Sequence, residues 1–243
     1  MMIINADDWG RSRKETDAAL SCHREGRVTS VSAMVFLEDS ERAATLAREH
    51  GVDAGLHLNL SQRYTRSPAS PAAARAHERL VRFTTSSKYA VVFYHPGLRG
   101  DFVTVFQSQN EEFQRLYGQP ASHVDGHQHR HLCANMLVDE VIPRGEKVRR
   151  NFFFWPGEKG ILNRAYRKLF DRWLMQRYRM TEYFFDLAQC SNPARLQRVC
   201  NLARAASVEL MVHPAVGDQS CFLLGARFAQ AANGVKLGTY AAL

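Results

Sequence analysis

Short apolar runs that each end on an acid or a histidine, spaced by short capped helical stretches, set the first limit on what this chain folds into. Ile3 and Ile4 lead into Asn5, Ala6, Asp7 and Asp8 as a short buried strand does. Ser12, with Glu15 three residues later, is a capping-box signature for a helix that Gly26 closes. Residues 28–35 are β-rich, Ser40–His50 reads as a capped helix ended by Gly51, and 52–60 reads as another strand.

This β-α-β-α-β rhythm, with helices too short for a bundle, implies parallel strands in a barrel or a doubly wound sheet. The polar residues choose the barrel. Asp7 and Asp8 follow the first strand, His57 ends the third, 123–127 end a later one after Pro120, and His213 follows the apolar run Val208–Val212. Strand C-terminal ends are where parallel barrels assemble their sites. Residues 62–100, broken by Pro68 and Pro71, lose the period and read as a long active-site loop with some helix after Pro71.

A chain of 243 residues at 45% hydrophobic content buries a large core, and with no evident linker it reads as one domain over 1–243. Polar and acidic residues arrive after only four apolar ones, which leaves no room for the apolar region of a signal peptide. No run approaches the ~20 apolar residues of a membrane-spanning helix. Five scattered cysteines (Cys22, Cys133, Cys190, Cys200, Cys221) suggest neither a disulfide framework nor a zinc ribbon, and a reducing cytoplasm is the natural compartment.

On an extended backbone Asp7 and Asp8 point to opposite sides, so one can bind a metal while the other faces a reacting atom. The pair alone is more often a helix cap or a turn. In the run Gly55, Leu56, His57, Leu58, Asn59, Leu60, alternation puts His57 and Asn59 on one face. The segment 123–131 is denser: it holds His123, His127, His129, His131 and Asp125, four of the ten histidines of the chain. Period two sets His123, Asp125 and His127 on one face. Such density points to a metal or proton-transfer site, because imidazole is the commonest ligand and its second nitrogen seeks a carboxylate. Two histidines and a carboxylate from separate segments make the ligand set of a catalytic ion that keeps positions open for water and substrate. One acid of the pair Asp7 and Asp8, His57 and one histidine of 123–131 are the candidates. His213, stiffened by Pro214, adds a further strand-end histidine.

Taken in order, Ile-Ile-Asn-Ala-Asp-Asp-Trp-Gly, Gly-Leu-His-Leu-Asn-Leu, His-Val-Asp-Gly-His-Gln-His-Arg-His, Val-His-Pro and the closing Leu-Gly-Thr-Tyr resemble the motifs of the YdjC/ChbG-like carbohydrate deacetylases, a family that includes chitooligosaccharide and hopanoid-associated deacetylases. The resemblance implies a distorted TIM-like (β/α) barrel of the polysaccharide-deacetylase-like kind, and hydrolysis of the N-acetyl group of an amino sugar. It implies one divalent ion, Mg2+ or Zn2+, held by Asp8, His57 and His127, with Asp7 as general base and His213 as the acid toward the departing amine. Asp125 then orients a ligand histidine, and His123 and His129 line the site.

The formal charge is +8, and it is local: from Arg144 to Arg179 eleven Lys or Arg face three acids, while the rest of the chain is balanced, 21 against 21. Within this segment Ile161, Leu162, Ala165, Tyr166, Leu169, Phe170, Trp173 and Leu174 recur at three and four, which predicts an amphipathic helix over 160–180 with Arg164, Arg167, Lys168, Arg172 and Arg179 on its other face. Arg149 and Arg150 precede Phe152, Phe153, Phe154 and Trp155, a combination suited to headgroup phosphates and the acyl boundary. The expected partners are therefore an N-acetylated sugar, anionic or lipid-linked, a peripheral membrane contact through 149–179 at the cytoplasmic face, and a second copy in a homodimer. Two other functions suit parts of the pattern. Carboxylate and imidazole ligands beside basic residues also serve a metal-dependent phosphoesterase. Interleaved cations and aromatics over 149–179 also suit a nucleic-acid-binding module, which leaves the histidine cluster unexplained.

Overall fold

In the computed structural model, which describes every residue except Lys88 and Ser191, the N-terminal strand β1 (Met2–Trp9) is buried along its whole length. A strand covered on both faces is what helices flanking a parallel sheet produce. Helix α1 (Arg13–Arg24) starts where the Ser12 and Glu15 signature places it, with other contacts than the reciprocal box: the Ser12 hydroxyl donates to the Glu15 carboxylate and accepts the N–H of Lys14. Then follow β2 (Ser30–Ala33), α2 (Ser40–His50) and β3 (Asp53–Leu58). Gly51 ends α2 at φ 63°, a left-handed cap that glycine takes without a Cβ penalty.

The chain continues through α3 (Pro71–Ser86), α4 (Arg99–Tyr117), β4 (Val124–Gly126), α5 (Ala134–Val138), α6 (Ile161–Met175), β5 (Tyr183–Asp186), α7 (Pro193–Ala205), β6 (Val208–Val212), α8 (Gln219–Leu224) and α9 (Ala226–Ala231). The strands form one sheet in the order β4-β3-β2-β1-β6-β5, and the β1–β6, β5–β6 and β3–β4 pairings are parallel. This is the α/β class expected of the alternating pattern. The distortion from an eight-stranded barrel is that six strands are present among the described residues.

Backbone contacts divide the chain into two compact units, Met1–Ala6 with Ala18–Ser30 and Gly145–Leu243, and Asp7–Asp17 with Val31–Arg144. In the first, β6 runs beside both β1 and β5, with Met2 opposite Val208 and Tyr183 opposite Val208. In the second, β3 and β4 pair so that His57 stands opposite Asp125.

Two expectations need correction. Over 62–100 the helix expected after Pro71 is present but longer than a loop with some helix implies: α3 runs from Pro71, where the Ser70 hydroxyl accepts the N–H of Ala73, to Ser86, and α4 follows after short 3-10 turns at Ala90–Val92 and Pro96–Leu98. The apolar period of α3 is hidden because two of its inward positions are polar. Thr84 donates to the Leu60 carbonyl at 2.6 Å, and His77 stacks on Tyr64 with ring centroids 3.5 Å apart. Lys88, within the same stretch, lies outside the described residues.

The second correction concerns Arg149 and Arg150, expected at the surface but only 1% and 8% exposed. Arg149 donates to Glu209 at 2.7 Å with its guanidinium over the Phe184 ring, and Arg150 pairs with Asp171 of α6. Phe152 stacks on Phe184, and Trp155 on Phe185 at 4.9 Å, so this aromatic run packs on β5. These groups are not free for headgroups or nucleic acid. No helix among the described residues is long and apolar enough to cross a membrane.

The β3–β4 pairing has a steric requirement at Gly55, where an added Cβ would collide with the His123 ring. Gly55→Ala is expected to lower stability by about 1–3 kcal/mol in urea denaturation. Gly100→Ala, in the first turn of α4 with nothing within 4 Å of the added Cβ, is expected to be neutral or stabilising by ~0.4–1 kcal/mol. Equal behaviour of the two variants would remove the packing account.

Candidate metal centre

The site begins with a backbone turn. At Asp8 the chain leaves the extended conformation for φ 64°, a left-handed value that aspartate tolerates better than most residues. The two carboxylates consequently do not diverge as an extended backbone would make them. Asp7 Oδ2 lies 3.9 Å and Asp8 Oδ1 3.6 Å from the same atom, Nε2 of buried His57. Arg11 holds the turn by donating from Nη1 to Asp8 Oδ2 at 3.1 Å and from its backbone N–H to the Asp8 carbonyl. Backbone strain of this kind persists where surrounding groups fix it, and it gathers at functional sites.

Register supplies the next residue. His57 and Asp125 are neighbours across β3 and β4, and His57 Nδ1 and Asp125 Oδ1 hydrogen-bond at 2.8 Å. The other oxygen of Asp125 accepts from Ser32 of β2 at 2.8 Å, and Ser32 Oγ is 3.1 Å from His123 Nε2. His123 Nδ1 in turn meets Ser122 Oγ at 3.0 Å. A buried chain thus runs from His123 through Ser32 and Asp125 to His57, fixing which imidazole nitrogen faces the acids. A carboxylate behind a histidine is the usual outer support of a metal ligand.

His127, the first residue after β4, completes the group. Its Nδ1 is 3.0 Å from Asp8 Oδ1, and its ring sits edge-on to His57 with centroids 5.6 Å apart. Asp8 Oδ1 is buried and accepts no hydrogen bond of normal geometry, although two imidazole nitrogens converge on it. One ligand atom each from Asp8, His57 and His127 lies within 4.8 Å of the others. A second set, Asp7, His57 and Asp125, meets the same distance, but Asp125 is bound to the opposite ring nitrogen. The first set fits a divalent cation in its donor chemistry, one carboxylate and two imidazoles.

Electrostatics agree with this reading. Burial alone would raise the Asp8 pKa, but His127, His57 and Arg11 outweigh it and hold the carboxyl well below the usual range. Burial alone would lower His57, but Asp125, Asp7 and Asp8 prevail and push it up to about 9. Without a metal, the proton on His57 compensates the buried acids.

Of the other sequence candidates, Asp125 and His123 lie in the supporting chain, not among the converging ligand atoms. His129 follows Gln128 in the left-handed region, φ 57° and 56°, and its ring is 6.4 Å from that of His131. The period-two reading of 123–131 therefore stops at Gly126, where β4 ends. His213 follows β6 in the other compact unit, and its N–H donates to Gln219 Oε1 at 2.8 Å. Ser32 and Arg11 were missed. A serine on a short strand and an arginine after a turn carry no signal until the register is known.

Two measurements test this centre. A cation must displace the His57 proton, so Zn2+ affinity is expected to rise about tenfold per pH unit until about 9, with about one proton released at neutral pH. Calorimetry in buffers of different ionisation enthalpy reads that release, and its absence would remove His57 from the ligand set. For the metal-free fold the sign is opposite. The folded pKa lies above the ordinary 6.5, so this contribution to stability is full below 6.5 and lost as pH rises through about 9. Ser32→Ala, which deletes the bridge between His123 and Asp125, is expected to weaken metal binding about 10- to 100-fold with the fold retained. Unchanged affinity would make the bridge incidental.

Known proteins agree with the fold and the motifs. The carbohydrate deacetylase of Mus musculus is 27% identical over 252 residues, covering 88% of this chain and 77% of that protein. The chitooligosaccharide deacetylase of Proteus mirabilis is 34% identical over 135 residues, covering 54% of this chain and 50% of that one. A crystal structure from Enterococcus faecalis V583, provisionally described as a cellobiose-phosphate cleavage protein, superposes with a TM-score of 0.70 at 17% identity over 99% of this chain and 97% of that one, which is a likeness of fold. The family model described as YdjC-like protein matches residues 1–240, and the chain belongs to that family.

Proposed function

We propose that this protein is a metal-dependent carbohydrate N-deacetylase, acting as one domain over 1–243, that removes the acetyl group from an N-acetylated amino sugar. The convergence of Asp8 Oδ1 with His57 and His127, backed by Asp125, carries this reading. Family membership and relatives named carbohydrate and chitooligosaccharide deacetylases support it. Asp8, His57 and His127 would hold the ion, and two imidazole donors suit Zn2+ better than Mg2+. When bound, such an ion supplies Lewis acidity toward the amide carbonyl and acidifies water.

The chain's own residues do the rest. Asp7 is buried beside the ligands, its Oδ2 3.9 Å from His57 Nε2, and serves as the general base that takes a proton from the attacking water. Asp125 keeps His57 in one orientation, with Nε2 toward the two acids. His213, assigned from its Val-His-Pro motif, gives a proton to the amine as the C–N bond breaks, and acetate leaves. The finer reading of the substrate is an anionic or lipid-linked sugar met at the cytoplasmic face of a membrane. The cations that α6 keeps at the surface, Lys168 and Arg172 with half-buried Arg164, support this.

Acetate release from N-acetylated chitooligosaccharides, with metal content measured on each preparation, tests the assignments. Asp7→Asn is expected to keep its ion and lose turnover by ~10²–10⁴-fold, the cost of a missing acid–base group. His57→Ala is expected to lose the ion together with activity. If Asp7→Asn loses metal as well, the division between base and ligand is wrong. Turnover of sugar phosphates with none of acetylated sugars would favour the phosphoesterase.

A further inference from the structure

The helix α6 is amphipathic as its sequence indicates but stops at Met175, short of the expected 180, so that Arg179 lies beyond it, and much of its apolar arc is turned outward. Its inward residues are Asp171, paired with Arg150, and Leu174, whereas Ile161, Leu162, Tyr166 and Leu169 are 81%, 86%, 63% and 66% exposed. These four, at 3.6 residues per turn, fall on one arc of the helix. Arg164, Lys168 and Arg172 form an i, i+4, i+8 row along the edge of that arc, and none has an ion-pair partner among the described residues. The only acid of the helix is Asp171, and it points inward.

Four large apolar side chains in water are unfavourable unless something covers them. An in-plane helix at a bilayer has this arrangement: an apolar face inserted at the acyl boundary, bordered by cations at phosphate level. A cleft of about 590 Å3 beside the helix is lined by Phe152, Phe154, Arg164, Lys168 and Arg172, with Asp171 and Glu182 also on its surface. A second copy is a poor occupant, because a symmetric pair sets cation row near cation row with no outward acid on the helix to answer them.

We infer that the outward face of α6 docks on an anionic phospholipid surface, with Ile161, Leu162, Tyr166 and Leu169 inserted and Arg164, Lys168 and Arg172 on the headgroup phosphates. The inference stands on this surface and not on the chemistry of the metal centre, so it can fail while the deacetylase reading stands. It also narrows the membrane contact from the whole of 149–179 to one helix face.

Vesicle sedimentation of the full chain tests it without reference to activity. The wild type is expected to sediment with phosphatidylcholine vesicles containing phosphatidylglycerol, more at low salt than at high, and weakly with phosphatidylcholine alone. Arg164→Gln, Lys168→Gln and Arg172→Gln together are expected to lower partitioning by on the order of 100-fold on the charged vesicles and to remove the salt dependence. Leu162→Ser, Tyr166→Ser and Leu169→Ser together, all at exposed positions, are expected to abolish binding with an unchanged thermal midpoint. Failure of the wild type to sediment with charged vesicles overturns the inference. So does undiminished binding by the serine variant, or a solution dimer of the wild type that this variant dissolves.

Discussion

The hydrogen bond between His57 and Asp125 is the constraint on which the rest of the site depends. It exists because β3 and β4 pair in parallel with these two residues opposite one another, and a shift of one residue would send both side chains to the other face. With Nδ1 engaged by Asp125, Nε2 is the atom left to meet Asp7 and Asp8. Everything at the centre is then a matter of bringing oxygen atoms to that nitrogen. The left-handed turn at Asp8 does so from β1, and the turn after β4 brings His127 to the same carboxylate.

The arrangement is costly for a protein without its ion. Asp7, Asp8 and Asp125 are all buried, and burying ionised carboxylates is tolerated only when they are paired and hydrogen-bonded. Arg11 answers Asp8, Ser32 answers Asp125, and a protonated His57 answers all three. A fold selected for stability alone would replace such a group with apolar side chains. Keeping it is the local inconsistency that marks a functional site.

Which parts of this were legible in the sequence follows from the range of the interactions. Strand-end acids and histidines announce themselves because apolar runs stop at them, and so the pair Asp7 and Asp8, His57 and the segment 123–131 stood out before their meeting point was known, while the choice of Asp8 and His127 among them came from the family resemblance. The Ser12 and Glu15 signature is a local signal, and the helix begins right after Ser12 as it indicates, although the two side chains bond each other. Ser32 was not legible, since its function comes from β2 lying where it reaches both Asp125 and His123, 93 and 91 residues away in sequence. The φ of Asp8 was not legible either, because an aspartate pair after a strand also suits a helix cap or an extended backbone. Helix α3 was obscured by His77 and Thr84, whose inward polar groups are satisfied by tertiary partners that a period count does not see.

The basic segment shows how charge counting can mislead when it stops at composition. Its eleven cations look like one surface, yet several are spent inside the protein. Arg149 lies against Glu209, Arg150 against Asp171, Lys147 donates to the Tyr240 carbonyl, and Arg177 sits over the Trp173 ring at 3.8 Å. Arg150 and Asp171 also explain why α6 is turned as it is. A buried arginine needs an acid, and the only acid of the helix must face it, which carries Leu174 inward and leaves the opposite arc with Ile161, Leu162 and Tyr166 outward. An amphipathic helix oriented by hydrophobic burial alone would have hidden those residues. The orientation of α6 is instead set by one ion pair, and the exposed apolar face is its consequence.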